Sequence, residues 1–67
     1  MQSSKRKQFQ VREDQSTLLL ETDIKEEAIA AWIAFHRQRP KRYHEVYELI
    51  DGVYIGFRQY KPGDIVR

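Results

Sequence analysis

The first part of the chain alternates between apolar and polar positions in two short segments. In residues 8–13 the apolar Phe9 and Val11 alternate with polar residues, which is the period of a half-buried strand. After a turn at residues 13–16, the leucines of Thr17–Thr22 predict a second strand that is buried more fully than the first. The N-terminal third therefore predicts two strands.

A longer helical pattern follows these strands. Asp23 is the predicted N-cap, and Glu26 three positions later completes a capping box. The helix is expected to run from Ile24 to about Gln38 and to end before Pro40, because a proline disfavours helical backbone in the residue before it. Its apolar residues share one stripe at about 100° per residue, namely Ile24, Ala28, Ala31, Trp32 and Phe35.

Residues 41–60 fit two patterns. Their apolar spacing allows a helix that ends at Gly52, whereas Asp51-Gly52 is typical of a two-residue hairpin turn. We favour the hairpin because its register gives compatible cross-strand pairs, with Glu48 opposite Ile55 as the one mismatch. The other pairs are Ile50 with Val53, Leu49 with Tyr54, Tyr47 with Gly56, Val46 with Phe57, Glu45 with Arg58, and Tyr43 with Tyr60.

The predicted fold is α+β, in the order ββαββ: a four-stranded antiparallel sheet with one long helix packed on one face. Residues 1–7 form a predicted disordered basic tail, and residues 8–67 form a single small domain. A turn is expected at residues 61–64, and residues 65–67 are a short tail or an edge pairing.

Strand alternation sorts the hairpin side chains onto two faces. The helix is expected to cover the face that carries Val46, Ile50, Val53, Ile55 and Phe57. The opposite face then exposes all four tyrosines of the protein, which are Tyr43, Tyr47, Tyr54 and Tyr60. A tyrosine ring packs well and its hydroxyl tolerates water, so such a face suits a surface that a partner covers.

Length and composition narrow the class of protein. The chain has 67 residues, no cysteine, 40% hydrophobic residues and 33% charged residues. Its longest apolar run, residues 28–35, is far shorter than the roughly 20 residues of a transmembrane helix. The basic N-terminus is not followed by the apolar stretch of a signal peptide. We therefore expect a cytoplasmic protein with no membrane association.

Positive charge is concentrated in blocks, although the net charge is only +2. One block lies at the end of the helix and in the loop after it, beside the predicted tyrosine face. In the first functional hypothesis the protein binds nucleic acid: the tyrosines stack on bases, which is worth roughly 1–3 kcal/mol per base. The phosphates would be neutralised by Arg37, Arg39, Lys41, Arg42 and Arg58.

The alternative hypothesis is a protein-interaction module that uses the same tyrosine face. The partner would be a second copy of the chain, in a homodimer, or a larger protein to which this one is an adaptor or inhibitor subunit. The basic blocks would then serve solubility and complement the helix dipole.

Catalytic and cofactor motifs are missing from the sequence. The serines lack a nucleophile elbow, and the three glycines match neither a P-loop nor a dinucleotide fingerprint. Pro40 interrupts the helical spacing between His36 and His44, which argues against a metal site. We therefore expect no enzymatic activity, no small-molecule substrate, no cofactor and no metal.

Overall fold

The computed structural model describes residues 6–66 and confirms the predicted α+β fold with the order ββαββ. Residues 1–5 of the predicted tail lie outside the described residues. The elements are β1 (Phe9–Glu13), β2 (Thr17–Thr22), α1 (Lys25–Gln38), β3 (His44–Ile50) and β4 (Val53–Tyr60). They form one antiparallel sheet in the strand order β2-β1-β3-β4, with α1 across one face.

Strand order decides which strands are buried. β1 lies between β2 and β3, and its Val11 is fully buried beside Val46 of β3. β2 is an edge strand, and its Leu18 is 48% exposed. The prediction that β2 is buried more fully than β1 is therefore wrong, because the leucine run reports local hydrophobicity and not position in the sheet.

The helix begins one residue later than predicted, and Asp23 is not its N-cap. Ile24 occupies the cap position with extended backbone, and it makes no side-chain cap bond in the described part of the chain. The Asp23 carboxylate instead accepts a hydrogen bond from the backbone N–H of Gln8, at 3.0 Å. The Thr22 hydroxyl accepts a hydrogen bond from the Ile24 N–H and donates one to the Glu27 carboxylate. Thr22 and Glu27 therefore organise the first turn.

Residues 44–60 form the predicted hairpin. Asp51 and Gly52 have φ angles of +51° and +81°, the left-handed pair that a type I′ turn requires. The predicted pairing is confirmed from Ile50–Val53 to Tyr47–Gly56. Beyond it a β-bulge shifts the register by one residue, so the pairs are Val46 with Arg58, Glu45 with Gln59, and His44 with Tyr60.

The hydrophobic core lies between α1 and the strands β1, β2 and β3, against which the helix mainly packs. Ala28 and Trp32 face the sheet from α1, four residues apart on the predicted stripe. Their apolar partners from the sheet are Phe9, Val11 and Val46, with Leu20 and Tyr60 at the margin. The helix-side surface of the edge strand β4 is left largely uncovered.

Candidate functional site

Tyr47 lies on the helix-free face, as predicted, but it is not open to solvent. Its side chain is 8% exposed, because the guanidinium of Arg12 lies 4.4 Å from the ring centroid. Arg12 is itself fixed by hydrogen bonds of 2.6 and 2.9 Å to the side-chain oxygen of Gln10. A base could stack on Tyr47 only after displacing this arginine.

The Glu45 carboxylate joins two tyrosines on the same face. One of its oxygens accepts hydrogen bonds from the hydroxyls of Tyr43, at 2.7 Å, and Tyr47, at 3.0 Å. Burial and the carboxylate raise the pKa of Tyr43 to about 12 and also raise the pKa of Tyr47. The carboxylate covers Gly56, where any Cβ atom would overlap it. The glycine is thus covered by Glu45, although Tyr47 is its cross-strand neighbour as predicted.

Tyr54 contacts the beginning of the described chain. Its hydroxyl donates to the backbone oxygen of Lys7, at 2.6 Å, and the guanidinium of Arg6 lies 5.5 Å from its ring centroid. Arg6 also donates to the carbonyl of Gly52 in the hairpin turn. The two described residues of the predicted tail therefore lie against the hairpin.

Tyr60 does not lie on the tyrosine face, so that part of the prediction is wrong. The bulge at Phe57 reverses the predicted direction of the side chains that follow it, and Tyr60 pairs with His44 on the helix side. Its ring stacks on Trp32 at a centroid distance of 4.2 Å and on His36 at 4.6 Å. The structure therefore brings together three of the four predicted tyrosines, and Tyr60 belongs to the margin of the core.

The predicted basic residues differ in their surroundings. Arg39 pairs with the buried carboxylate of Glu13, at 3.0 Å, and Arg42 pairs with Asp14, at 3.1 Å. All five are exposed, and the other three are Arg37 in the last turn of α1, Lys41 in the following loop, and Arg58 opposite Val46 in β4. Two of the five predicted phosphate ligands are thus engaged in ion pairs within the protein.

An exposed apolar strip along the hairpin is a second feature of this molecule. Its members lie on the helix side, beyond the edge that α1 covers: Phe57 contacts Phe9 at a ring distance of 6.3 Å, and Ile55 pairs with Glu48. This strip is named the β4 strip because three of its four residues lie in β4. Its members are Ile50 at the end of β3 and Val53, Ile55 and Phe57 of β4, with exposures of 44%, 59%, 48% and 36%. The prediction that these residues share one face is confirmed. The expectation that the helix covers them is wrong.

A buried polar chain links the two histidines, and sequence reasoning missed it. His36 and His44 are both fully buried, and their Nδ1 atoms lie 2.8 Å apart. His44 Nε2 lies 3.2 Å from Glu13 Oε2, and His36 Nε2 lies 2.9 Å from the backbone oxygen of Asp64. A signal existed: His36 follows Trp32 by one helical turn, and His44 shares a strand face with Val46.

In comparisons with known proteins, no family model, no curated protein and no solved structure matches the chain. Within residues 6–66, no group of three or more histidine, aspartate or glutamate side chains is placed to hold a metal ion. The one described helix, α1, is neither long enough nor apolar enough to cross a membrane.

Proposed function

We propose that this protein is a protein-interaction module that forms a homodimer by pairing β4 of one copy with β4 of a second. The observation that carries the proposal is the β4 strip, in which four large apolar side chains on an edge hairpin are 36–59% exposed. Edge strands usually avoid such exposure with charges or proline, because their free backbone groups pair readily with another strand. Residues 53–57 contain neither a charge nor a proline.

The backbone geometry defines one register for this pairing. In a two-residue hairpin the residues flanking the turn, Ile50 and Val53, form a hydrogen-bonded pair, so Tyr54 and Gly56 direct their N–H and C=O groups outward. A two-fold axis at Ile55 places Tyr54 of each copy opposite Gly56 of the other. The outward groups then bond to each other, and Ile55 meets its own copy across the axis.

Side-chain chemistry supports the same register. Residues directly opposite each other in a sheet share a face, so Val53 lies opposite Phe57 of the second copy, with the Ile55 pair between them. Both helices lie on the same side of the joined sheet, and the two strips form one apolar band between them. Nucleic-acid binding stays a prediction that is less favoured by this geometry, because Tyr47 is covered and Tyr60 lies in the core margin.

Sedimentation equilibrium over a range of concentrations tests the proposal. Ile55→Lys places two like charges at the axis, and we expect the dimer dissociation constant to rise at least about tenfold. Leu18→Lys is the matched control, because Leu18 has the same 48% exposure on the other edge strand. Since the chain has no cysteine, Ile55→Cys should cross-link under oxidation, as directly opposed Cα atoms in such a pair lie about 4.5 Å apart.

Three results would overturn the proposal. One is a wild-type protein that is monomeric at all concentrations, and another is a dimer that Leu18→Lys disrupts and Ile55→Lys does not. The third is a monomer that binds an oligonucleotide and loses this binding in the Lys41→Ala, Arg42→Ala double variant, which would favour the nucleic-acid prediction instead.

A further inference from the structure

The buried histidines form part of a continuous polar chain with three contacts. It runs from the Glu13 carboxylate through His44 and His36 to the backbone oxygen of Asp64, with distances of 3.2, 2.8 and 2.9 Å. Both imidazoles are fully buried and Glu13 is 5% exposed. The last contact connects α1 to the segment that follows β4.

Hydrogen counting shows that two neutral imidazoles cannot satisfy this chain. Each contact requires one hydrogen between its two heavy atoms, and an ionised carboxylate and a carbonyl oxygen can only accept. A neutral imidazole carries one N–H, so the pair supplies two hydrogens for three contacts. Every choice of tautomers leaves two lone pairs facing each other, and the arrangement therefore requires one additional proton.

The surrounding charges place that proton on the histidine pair. Arg39 Nε lies 3.0 Å from the same Glu13 oxygen that faces His44, so this oxygen already accepts a hydrogen from the arginine and the additional proton bridges the two Nδ1 atoms. Asp14, in the turn after β1, also lies near His44, and its charge is paired with Arg42 at 3.1 Å. Burial lowers the pKa of His44 and the neighbouring His36 lowers it further, so the three contacts of the chain must hold the additional proton against the cost of burial, and a second additional proton is disfavoured still more.

The other neighbours of the histidine pair are Tyr60 of β4 and the C-terminal segment. From β4, the neutral ring of Tyr60 stacks on His36. In the C-terminal segment, the Asp64 carboxylate accepts the backbone N–H of Lys61 at 2.8 Å, so only its backbone oxygen takes part in the chain. The segment is also tied to the loop after α1, where the Gly63 N–H donates to the Pro40 oxygen at 2.7 Å.

We propose that the His36–His44 pair holds one shared proton and is a pH-sensitive latch for residues 61–66. Loss of the proton at higher pH sets two acceptors face to face, so the stabilisation is present at lower pH and disappears as the pH rises. Binding of a second proton sets two N–H groups face to face. Because burial depresses that protonation, its effect appears as the pH falls below the ordinary histidine value of about 6.5. The latch is closed between these limits.

Nuclear magnetic resonance of the ¹⁵N-labelled protein tests the shared proton directly. We expect both Nε2 atoms to be protonated and a scalar coupling to connect the two Nδ1 atoms through the bridging hydrogen. The proposal would be overturned if, at neutral pH, both rings were neutral and showed no such coupling while the hydrogen bond from the Gly63 N–H to the Pro40 oxygen was intact.

Amide exchange tests the latch. The protection of the Gly63 amide should fall both above and below the pH range in which the latch is closed. The reference is the Leu49 amide, which bonds to the Gln8 oxygen at the other end of the sheet. The expected loss is about fivefold to tenfold, the equivalent of one hydrogen bond. His36→Gln should flatten this pH dependence, whereas a wild-type ratio of Gly63 to Leu49 protection that stays constant with pH would contradict a latch. The Ile55→Lys variant should behave as wild type here, since the latch does not require the proposed dimer.

Discussion

Replacement of Gly56 by alanine has an effect whose sign depends on a second residue. Alanine in a strand interior is normally preferred over glycine by about 0.5–1 kcal/mol, because glycine loses more backbone entropy on folding. Here the new Cβ atom would overlap the Glu45 carboxylate, which must then rotate away. The rotation removes the acceptor that the hydroxyls of Tyr43 and Tyr47 share.

The cost follows from the two hydroxyls that lose this acceptor. A hydrogen bond to a charged group contributes about 1.5–3 kcal/mol. Tyr43 has a second acceptor in the side-chain oxygen of Gln59, at 2.7 Å, whereas Tyr47 is 8% exposed and cannot readily bond to water instead. The loss is therefore about 2–3 kcal/mol. After the gain from replacing glycine is subtracted, Gly56→Ala should destabilise the wild-type protein by about 2 kcal/mol.

A double-mutant cycle separates this effect from general strand propensity. In the Glu45→Ala background the Cβ atom has space and no shared acceptor remains, so Gly56→Ala should stabilise by about 0.5–1 kcal/mol. Urea unfolding of the four proteins, followed by fluorescence of the single, buried Trp32, measures each free energy. An equal cost of Gly56→Ala in both backgrounds would refute the role assigned to Glu45.

Two further substitutions test the face and the core. Because the pKa of Tyr43 is raised to about 12, folding favours its neutral form, and the unfolding free energy should fall as the pH rises from about 10 to 12. Ultraviolet titration should show phenols that ionise late, one of which Tyr43→Phe removes, and ionisation of every phenol near pH 10 would contradict this. Val11→Ala, at a fully buried position, should cost about 2 kcal/mol in urea unfolding, against about 0.5 kcal/mol or less for Leu18→Ala; equal costs would contradict the assigned strand order.

Local signals predicted the elements of the fold. Asp51-Gly52 permits positive φ at both central turn positions, which explains why the hairpin and its first four pairs agree with the sequence. The helix was evident from its apolar stripe, although its start was not. Whether Asp23 caps the helix depends on the Gln8 amide, which is fifteen residues away in the chain and reaches Asp23 only when the sheet has formed.

The candidate surfaces were harder to predict because they depend on strand order and on side chains from other elements. The sequence of β2 is more hydrophobic than that of β1. However, β2 lies at an edge of the sheet, because β1 pairs with both β2 and β3. Arg12 is one of the polar residues that alternate with Phe9 and Val11, but nothing in residues 8–13 indicates that it covers Tyr47 of β3. The buried contact of His36 with His44 likewise joins a helix and a strand.

The β-bulge before Arg58 accounts for the error at Tyr60, and the packing of α1 on the other strands accounts for the exposure of the β4 strip. An extra residue reverses the faces that follow it, so Tyr60 turns towards the helix and fills the space beside Trp32 and His36. Without this reversal that end of the core would lack an aromatic ring, and the histidine pair would lose a cover. The segment before the bulge has no such filler, because α1 packs mainly on the other three strands. The inserted residue thus closes the core beside His36, whereas the position of α1 on the other three strands leaves Val53 and Ile55 exposed at the opposite end of β4, where a second copy is proposed to pair.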